Sequence, residues 1–144
     1  MNKLSGYEIC SSNQTEVEFI DSGIVEFNKT HAPFTQTEDF IPLNYHIKDE
    51  QNNVIAGINA LMYCWGMLYI DAFIVNERYR NLKLGSRLLQ KVETKAKLMG
   101  ATLSHLDTFD WQSKDFYLKS GYEIFGVLED CPVGHKRYYM KKKL

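Results

Sequence analysis

The sequence predicts an α/β sandwich in which an antiparallel meander leads into a β-α-β crossover, with helices on both faces of the sheet. Three observations carry that expectation. Strand-like runs at 43–48, 54–64 and 67–75 follow one another closely. A stripe at helical spacing, Leu88, Leu89, Val92, Ala96 and Met99, comes directly after them. A strand, a short helix and two further strands then complete the chain. With 144 residues, 44% of them hydrophobic, the chain is long enough for one core and too short for two. A single domain over 1–144 is therefore expected.

The elements are justified in order. Residues 6–11 (GYEICS) suggest a first short strand. Val17, Ile20, Ile24 and Phe27 form one apolar stripe on a helix over 13–29, with Asn13-x-x-Glu16 or Thr15-x-x-Glu18 as its start signal. Residues 31–42 are polar and aromatic, hold two of the three prolines, and suggest a loop or a short surface helix. The polar turn DEQNN separates the first two meander strands and Trp65-Gly66 the last two. Gly100 ends the long helix as a C-terminal cap, and Glu93 and Lys97 are spaced as an i,i+4 pair on it. Strand 101–109, helix 110–120 closed by Gly121, strand 122–128 and a last strand 136–143 follow.

Charge is distributed unevenly. The net value is −1, yet residues 1–75 carry 3 Lys+Arg against 10 Asp+Glu, while residues 76–144 carry 14 against 8. The second half suits an anionic ligand. Three cysteines (Cys10, Cys64, Cys131) without CxxC spacing argue for a reducing, cytoplasmic setting, and no His/Cys set has metal-ligand spacing. The uncharged run 54–70 is broken by Gly57, Asn59 and Gly66 and falls short of a membrane span. The basic cluster Lys136, Arg137 and Lys141–Lys143 reads as a solvated terminal strand, since no aromatic nucleic-acid platform accompanies it.

The most informative segment joins the third meander strand to the long helix: Val75-Asn76-Glu77-Arg78-Tyr79-Arg80-Asn81-Leu82-Lys83-Leu84-Gly85-Ser86. A strand enters a basic loop that opens a helix through a glycine. The N–H groups of a helix N-terminus, joined by Arg78, Arg80 and Lys83, suit a phosphate. By itself the segment reads equally well as a solvated basic loop with a helix-start glycine.

This loop resembles the acetyl-CoA loop of the GNAT superfamily of N-acetyltransferases, whose pattern is Arg/Gln-x-x-Gly-x-Gly/Ala after an apolar strand. Here it reads Arg80-Asn81-Leu82-Lys83-Leu84-Gly85, followed by Ser86-Arg87-Leu88-Leu89, with Lys83 in place of the first motif glycine. A second segment, Asp110-Trp111-Gln112-Ser113-Lys114-Asp115-Phe116-Tyr117-Leu118-Lys119-Ser120-Gly121-Tyr122, is similar to the family's Asn-x-x-Ala-x-x-Phe-Tyr-x-Lys-x-Gly-Phe. Asp110 stands for the usual Asn and Ser113 for the usual Ala. Both motifs occur in the right order, and the resemblance covers roughly residues 40–130.

The resemblance implies a GNAT-like mixed sheet with two strands splayed at the cofactor cleft, and acetyl-CoA as cofactor. The pantetheine arm would bond to the main chain of Phe73, Ile74 and Val75. The pyrophosphate would meet the amides of Arg80, Asn81, Leu82, Lys83, Leu84, Gly85 and Ser86, with Asp110 and Ser113 completing the cofactor set. Tyr117 holds the position of the family's tyrosine near the sulfur and is the expected general acid. Asp71, a carboxylate inside an apolar strand, is the expected base; by itself the residue reads equally well as an Asp in a strand bulge bonded to neighbouring backbone or Arg. Period-2 alternation places it on one side with Phe73 and Val75.

The expected acceptor is the primary amine of a small molecule. It is drawn to an acidic and aromatic region around Glu26, Glu38, Asp39 and Asp71, with Phe27, Phe34, Phe40, Tyr45, Tyr63 and Trp65. A peptide or protein amine, or a CoA-binding module without turnover, are the alternatives. The last strand and the turn Cys131-Pro132-Val133-Gly134 suggest a homodimer edge.

Overall fold

The computed structural model describes residues 6–144, which cluster into two compact units divided between Phe34 and Thr35. In the first, residues 6–12 form no strand; their polar composition overrides the two apolar positions Tyr7 and Ile9. Helix α1 spans Gln14–His31. Its start is settled by Asn13, whose side chain accepts from the Thr15 and Glu16 N–H groups. The Glu16 carboxylate in turn accepts from the Asn13 N–H at 2.8 Å. That reciprocal capping box satisfies donors that would otherwise lack partners.

The second unit is built on a seven-stranded mixed sheet. Its strands are β1 (Phe40–Pro42), β2 (Tyr45–Lys48), β3 (Val54–Tyr63), β4 (Met67–Val75), β5 (Leu103–Phe109), β6 (Glu123–Glu129) and β7 (Lys136–Lys143), with helices α2 (Leu84–Leu98) and α3 (Lys114–Lys119). The order across the sheet is β1-β3-β4-β5-β7-β6, and β2 pairs with β3 beyond β1. The expected meander and crossover are both present: β3 and β4 are antiparallel, and α2 carries the chain to β5, parallel to β4. The 31–42 segment is more than a loop, because it ends in strand β1. Phe40 and Pro42 pair there with Tyr63 and Leu61 at the end of β3.

The last strand is not an edge. β7 lies between β5 and β6, so β6 is the free edge on that side and the expected dimer edge at 136–143 is corrected. Lysines along β7 are tolerated there because their side chains run out to solvent or to carboxylates, as in Lys141–Glu123 at 3.7 Å.

The core lies between one face of the sheet and α2. Ala56, Ile58, Ala60 and Met62 of β3, Leu68 and Ile70 of β4, Leu106 of β5 and Met140 of β7 meet Leu88, Leu89, Val92 and Ala96 of α2. Tyr117 and Tyr122 complete it, and the Tyr122 hydroxyl is 2.7 Å from the Ser104 hydroxyl. Glu93 does not serve as an exposed partner of Lys97. It is buried, at 8% exposure, with Lys142 Nζ 2.8 Å from its Oε2. Lys142 also donates to the Ser120 carbonyl at 2.8 Å, so one ammonium joins α2, β7 and the end of α3.

Candidate active site

The site begins where β4 and β5 part. Their parallel pairing runs from Met67 opposite Leu103 to Ile70 opposite Leu106 and stops. At that point β4 carries a bulge: Ala60 pairs with Ile70 and Asn59 with Ala72, leaving Asp71 without an opposite residue. A bulge raises local twist and breaks pairing, which separates β4 from β5 beyond it.

The bulge also shifts the parity of the strand. Leu68 and Ile70 face the core before it, whereas Phe73 and Val75 lean on the core after it. Asp71 and Ala72 are both exposed, on the side of Asn59. The expectation that Asp71 shares a face with Phe73 and Val75 is therefore corrected, because simple alternation takes no account of an inserted residue.

The register assigns the backbone groups of the open strand. Asn76 N–H donates to Ile55 C=O at 2.8 Å, in the same register that pairs Ile74 with Gly57. Antiparallel residues alternate between turning both backbone groups to the partner and turning both away. Ile74 is thus engaged with β3, while Phe73 and Val75 direct their N–H and C=O groups toward the gap left by β5.

The loop into α2 lies at the same gap. Asn76 caps a 3-10 turn over Glu77–Tyr79 by accepting from Arg78 N–H at 3.0 Å. Asn81 (φ 68°) and Lys83 (φ 60°) are left-handed, and Lys83 is the residue from which α2 starts. Lysine therefore adopts the backbone a glycine would take, at a cost of about 1 kcal/mol. Gly85 packs beneath the aromatic pair Phe73 and Phe116; a Cβ there would lie 3.4 Å from Phe73 and 3.5 Å from Phe116.

A cavity of about 1350 Å³ runs along the gap. Its lining includes Asp71, Phe73, Ile74, Val75, Arg80, Asn81, Lys83, Leu84, Gly85, Ser86, Asp110, Ser113 and Tyr117. Of the residues assigned to catalysis or to the cofactor only Leu82 is outside it, pointing to solvent at 60% exposure, and Arg78 of the basic loop is outside it as well. Tyr117 is 5% exposed, and its hydroxyl has no hydrogen-bond partner among the described residues. Burial, followed by the charge of Asp107, pushes its phenol up to about 12.

Several lining residues lie outside the two sequence motifs or were given no role in them. Tyr69 donates to Asp107 Oδ2 at 3.1 Å, and the Arg137 guanidinium donates to Asp107 Oδ1 through Nε at 2.8 Å. Phe109 and Trp111 continue the same wall. The signal in the sequence is the alternation Leu103, His105, Asp107, Phe109, which puts polar and aromatic side chains on the face away from the core. Behind this wall the Tyr63 hydroxyl lies 2.6 Å from His105 Nε2, and burial holds the imidazole below its ordinary value.

Asp110 lines the cavity, but both its oxygens are engaged: Oδ1 with His135 Nδ1 and Oδ2 with the Lys136 N–H, each at 2.9 Å. The His135 contact holds this carboxyl below its usual range. Of the acidic and aromatic set expected for the acceptor, Asp71 lines the cavity, whereas Glu38, Asp39, Phe40, Tyr63 and Trp65 do not. Tyr45 lines a separate hollow of about 300 Å³ beside Phe73 and Ile74.

Residues 13–122 match the acetyltransferase (GNAT) family. The chain belongs to that family. GNAT enzymes take their acetyl group from acetyl-CoA, and the cavity fits that molecule: it offers unpaired strand groups at Phe73 and Val75 beside the N-terminus of a helix flanked by Arg80 and Lys83.

Known relatives agree on the fold. An acetyltransferase from Bacillus cereus ATCC 14579 superposes with a TM-score of 0.88 at 31% identity, over 96% of this chain and 98% of that one. An aminoglycoside 6'-N-acetyltransferase complexed with coenzyme A shares the fold at a TM-score of 0.62 and 16% identity, over 94% and 97% of the two chains. In sequence, the blasticidin-S acetyltransferase of Streptomyces morookaense is 32% identical over 81 residues, which is 56% of this chain and 60% of that protein's length. Among the described residues no helix of this GNAT chain is long and apolar enough to cross a membrane.

Proposed function

We propose that the chain, acting as one domain in the reducing cytoplasm, transfers acetyl from acetyl-CoA to a primary amine of a small molecule by direct attack in a ternary complex. The observation that carries this reading is the convergence on one cavity of the open backbone of Phe73 and Val75, the basic loop before α2, the unpartnered Tyr117 hydroxyl and the exposed Asp71 carboxylate. The names of two relatives, acetyltransferases of blasticidin-S and of aminoglycosides, support a small amine as acceptor.

Acetyl-CoA supplies an acyl group already activated as a thioester. Phe73 and Val75 extend the sheet edge toward its amide-bearing arm, in the manner of an added strand. Arg80 and Lys83, together with the free N–H groups of Leu84, Gly85 and Ser86, hold the anionic end. Phe73 or Val75 N–H stabilises charge growing on the carbonyl oxygen. The Asp71 carboxylate takes the proton from the attacking amine, and the Tyr117 hydroxyl gives one to the departing sulfur. Asp110 holds the β6–β7 connection against the β5–α3 turn, and Ser113 opens α3.

The test is thiol release from acetyl-CoA against a panel of small primary amines, with calorimetry of acetyl-CoA binding in parallel. Binding together with amine-dependent thiol release is the expected result. Binding without release for any amine would defeat the transfer reading, and no binding at millimolar concentration would defeat the cofactor reading as well.

A further inference from the structure

The wall of the cavity that faces away from α2 is aromatic as well as acidic. Phe109 and Trp111 stack almost parallel, with centroids 4.6 Å apart and planes 7° apart. That contact fixes the Trp111 ring although it sits in the turn beyond β5. Phe109 is itself held, since the Arg137 guanidinium lies 5.3 Å from its centroid and is bonded to Asp107. His135 stands at right angles to Trp111, at 5.0 Å. With these neighbours in place Trp111 still exposes 55% of its surface while lining the cavity.

A large ring anchored on one side and left bare toward a cavity is a contact surface held ready at little entropic cost. Charge divides the wall further. The Asp107 carboxylate is already occupied by Tyr69 and Arg137, whereas Asp71 forms no hydrogen bond or ion pair among the described residues. Asp71 and Trp111 line the same cavity, the one offering an unengaged carboxylate to a cationic amine and the other an aromatic surface.

Resting on the acetyltransferase reading of this cavity, we propose that Trp111, backed by Phe109, selects the acceptor: an amine bearing a flat conjugated ring that stacks on Trp111 while its amino group lies toward Asp71. A saturated ring of the same size fills similar space without the matching π face.

The experiment compares 2-phenylethylamine with 2-cyclohexylethylamine as acceptors for the wild-type protein, Trp111→Ala and Trp111→Phe. The expected wild-type preference in kcat/KM is about threefold to tenfold for the phenyl compound. It vanishes in Trp111→Ala and largely survives in Trp111→Phe, each read as the ratio between the two amines so that any change in acetyl-CoA affinity cancels. Equal use of the two amines by the wild type, or a preference that persists in Trp111→Ala, overturns the proposal. If acetyl-CoA binds and neither of these two amines is acetylated, the transfer reading is decided separately by the wider amine panel. The ring preference is then read from calorimetric Kd values of the same amines on the CoA-loaded protein. There, tighter phenyl binding that is lost in Trp111→Ala supports the proposal, and equal binding by the wild type overturns it.

Discussion

Ile70 and Leu106 form the last parallel pair between β4 and β5, and the next residue of β4 is the unpaired Asp71. The bulge that opens the cleft is therefore the same feature that exposes the carboxylate to it. Asp71→Asn keeps the size and removes the proton acceptor. We expect kcat to fall by about 10²-fold or more, with acetyl-CoA affinity unchanged. A kcat close to that of the wild type excludes Asp71 as the base.

Tyr117→Phe separates proton delivery from packing, because the ring stays in its core position while the hydroxyl has no hydrogen-bond partner to lose among the described residues. A drop in kcat of about 10²-fold is expected, again with unchanged acetyl-CoA binding. With the phenol pushed up to about 12, the group stays protonated through the assay range, so no alkaline limb below about pH 11 belongs to it. Its raised value also stabilises the fold below pH 10, the ordinary tyrosine value, and that contribution is lost as pH rises toward 12. Thermal midpoints should decline over that window in the wild type and decline less in Tyr117→Phe.

The helices and the two loops are legible in the sequence because their determinants are local. The Asn13 capping box, the α2 stripe and the Arg80 to Gly85 run are each contained within a few turns of chain. The bulge at Asp71 enters only as an alternative to the catalytic reading, since it is set by how β3 aligns against β4 and leaves no mark on the alternation of one strand. The place of β7 is hidden for a related reason: a hairpin of β6 and β7 has the same sequence pattern whichever strand faces β5. Asp107 finds Arg137 across 30 residues and Glu93 finds Lys142 across 49, so neither pair shows in local spacing. Trp111 stands in plain view inside the second motif, but its stacking on Phe109 needs the turn held by Gln112.

Lys83 carries both a charge and a strained backbone, and Lys83→Gly removes both. Relief of the left-handed conformation, offset in part by the freer unfolded chain, should raise stability by about 0.5 kcal/mol. Acetyl-CoA affinity should weaken roughly threefold at low ionic strength and converge with the wild type in about 1 M salt, where exposed charges are screened within about 3 Å. Titrations at both salt concentrations check this; equal affinity at low salt shows that the ammonium does not touch the ligand.

Gly85 marks how closely the aromatic pair approaches the start of α2. The methyl of Gly85→Ala would lie at ordinary contact distances, 3.4 Å from Phe73 and 3.5 Å from Phe116, so that variant should fold and bind acetyl-CoA nearly as the wild type does. Gly85→Val adds two further methyls against the same rings and should destabilise by about 1–3 kcal/mol, weakening acetyl-CoA binding as Phe73 is displaced. Calorimetry of both variants distinguishes them; equal behaviour means that the rings give way.

The buried pair of Glu93 and Lys142 is a stability device distant from the chemistry, and it supplies a control for the active-site variants. Lys142→Met leaves the Glu93 carboxylate, 8% exposed, without its cation and also frees the Ser120 carbonyl. The loss should reach about 2–4 kcal/mol, at the lower part of the range for broken buried pairs because Lys142 keeps some solvent contact. The double variant Glu93→Leu with Lys142→Met removes both charges and should recover most of that loss. Denaturant midpoints for the two single variants and the double variant give the coupling directly. Additive effects would show that the two charges are solvated independently, and a kcat per folded molecule that falls with stability would link the pair to the site after all.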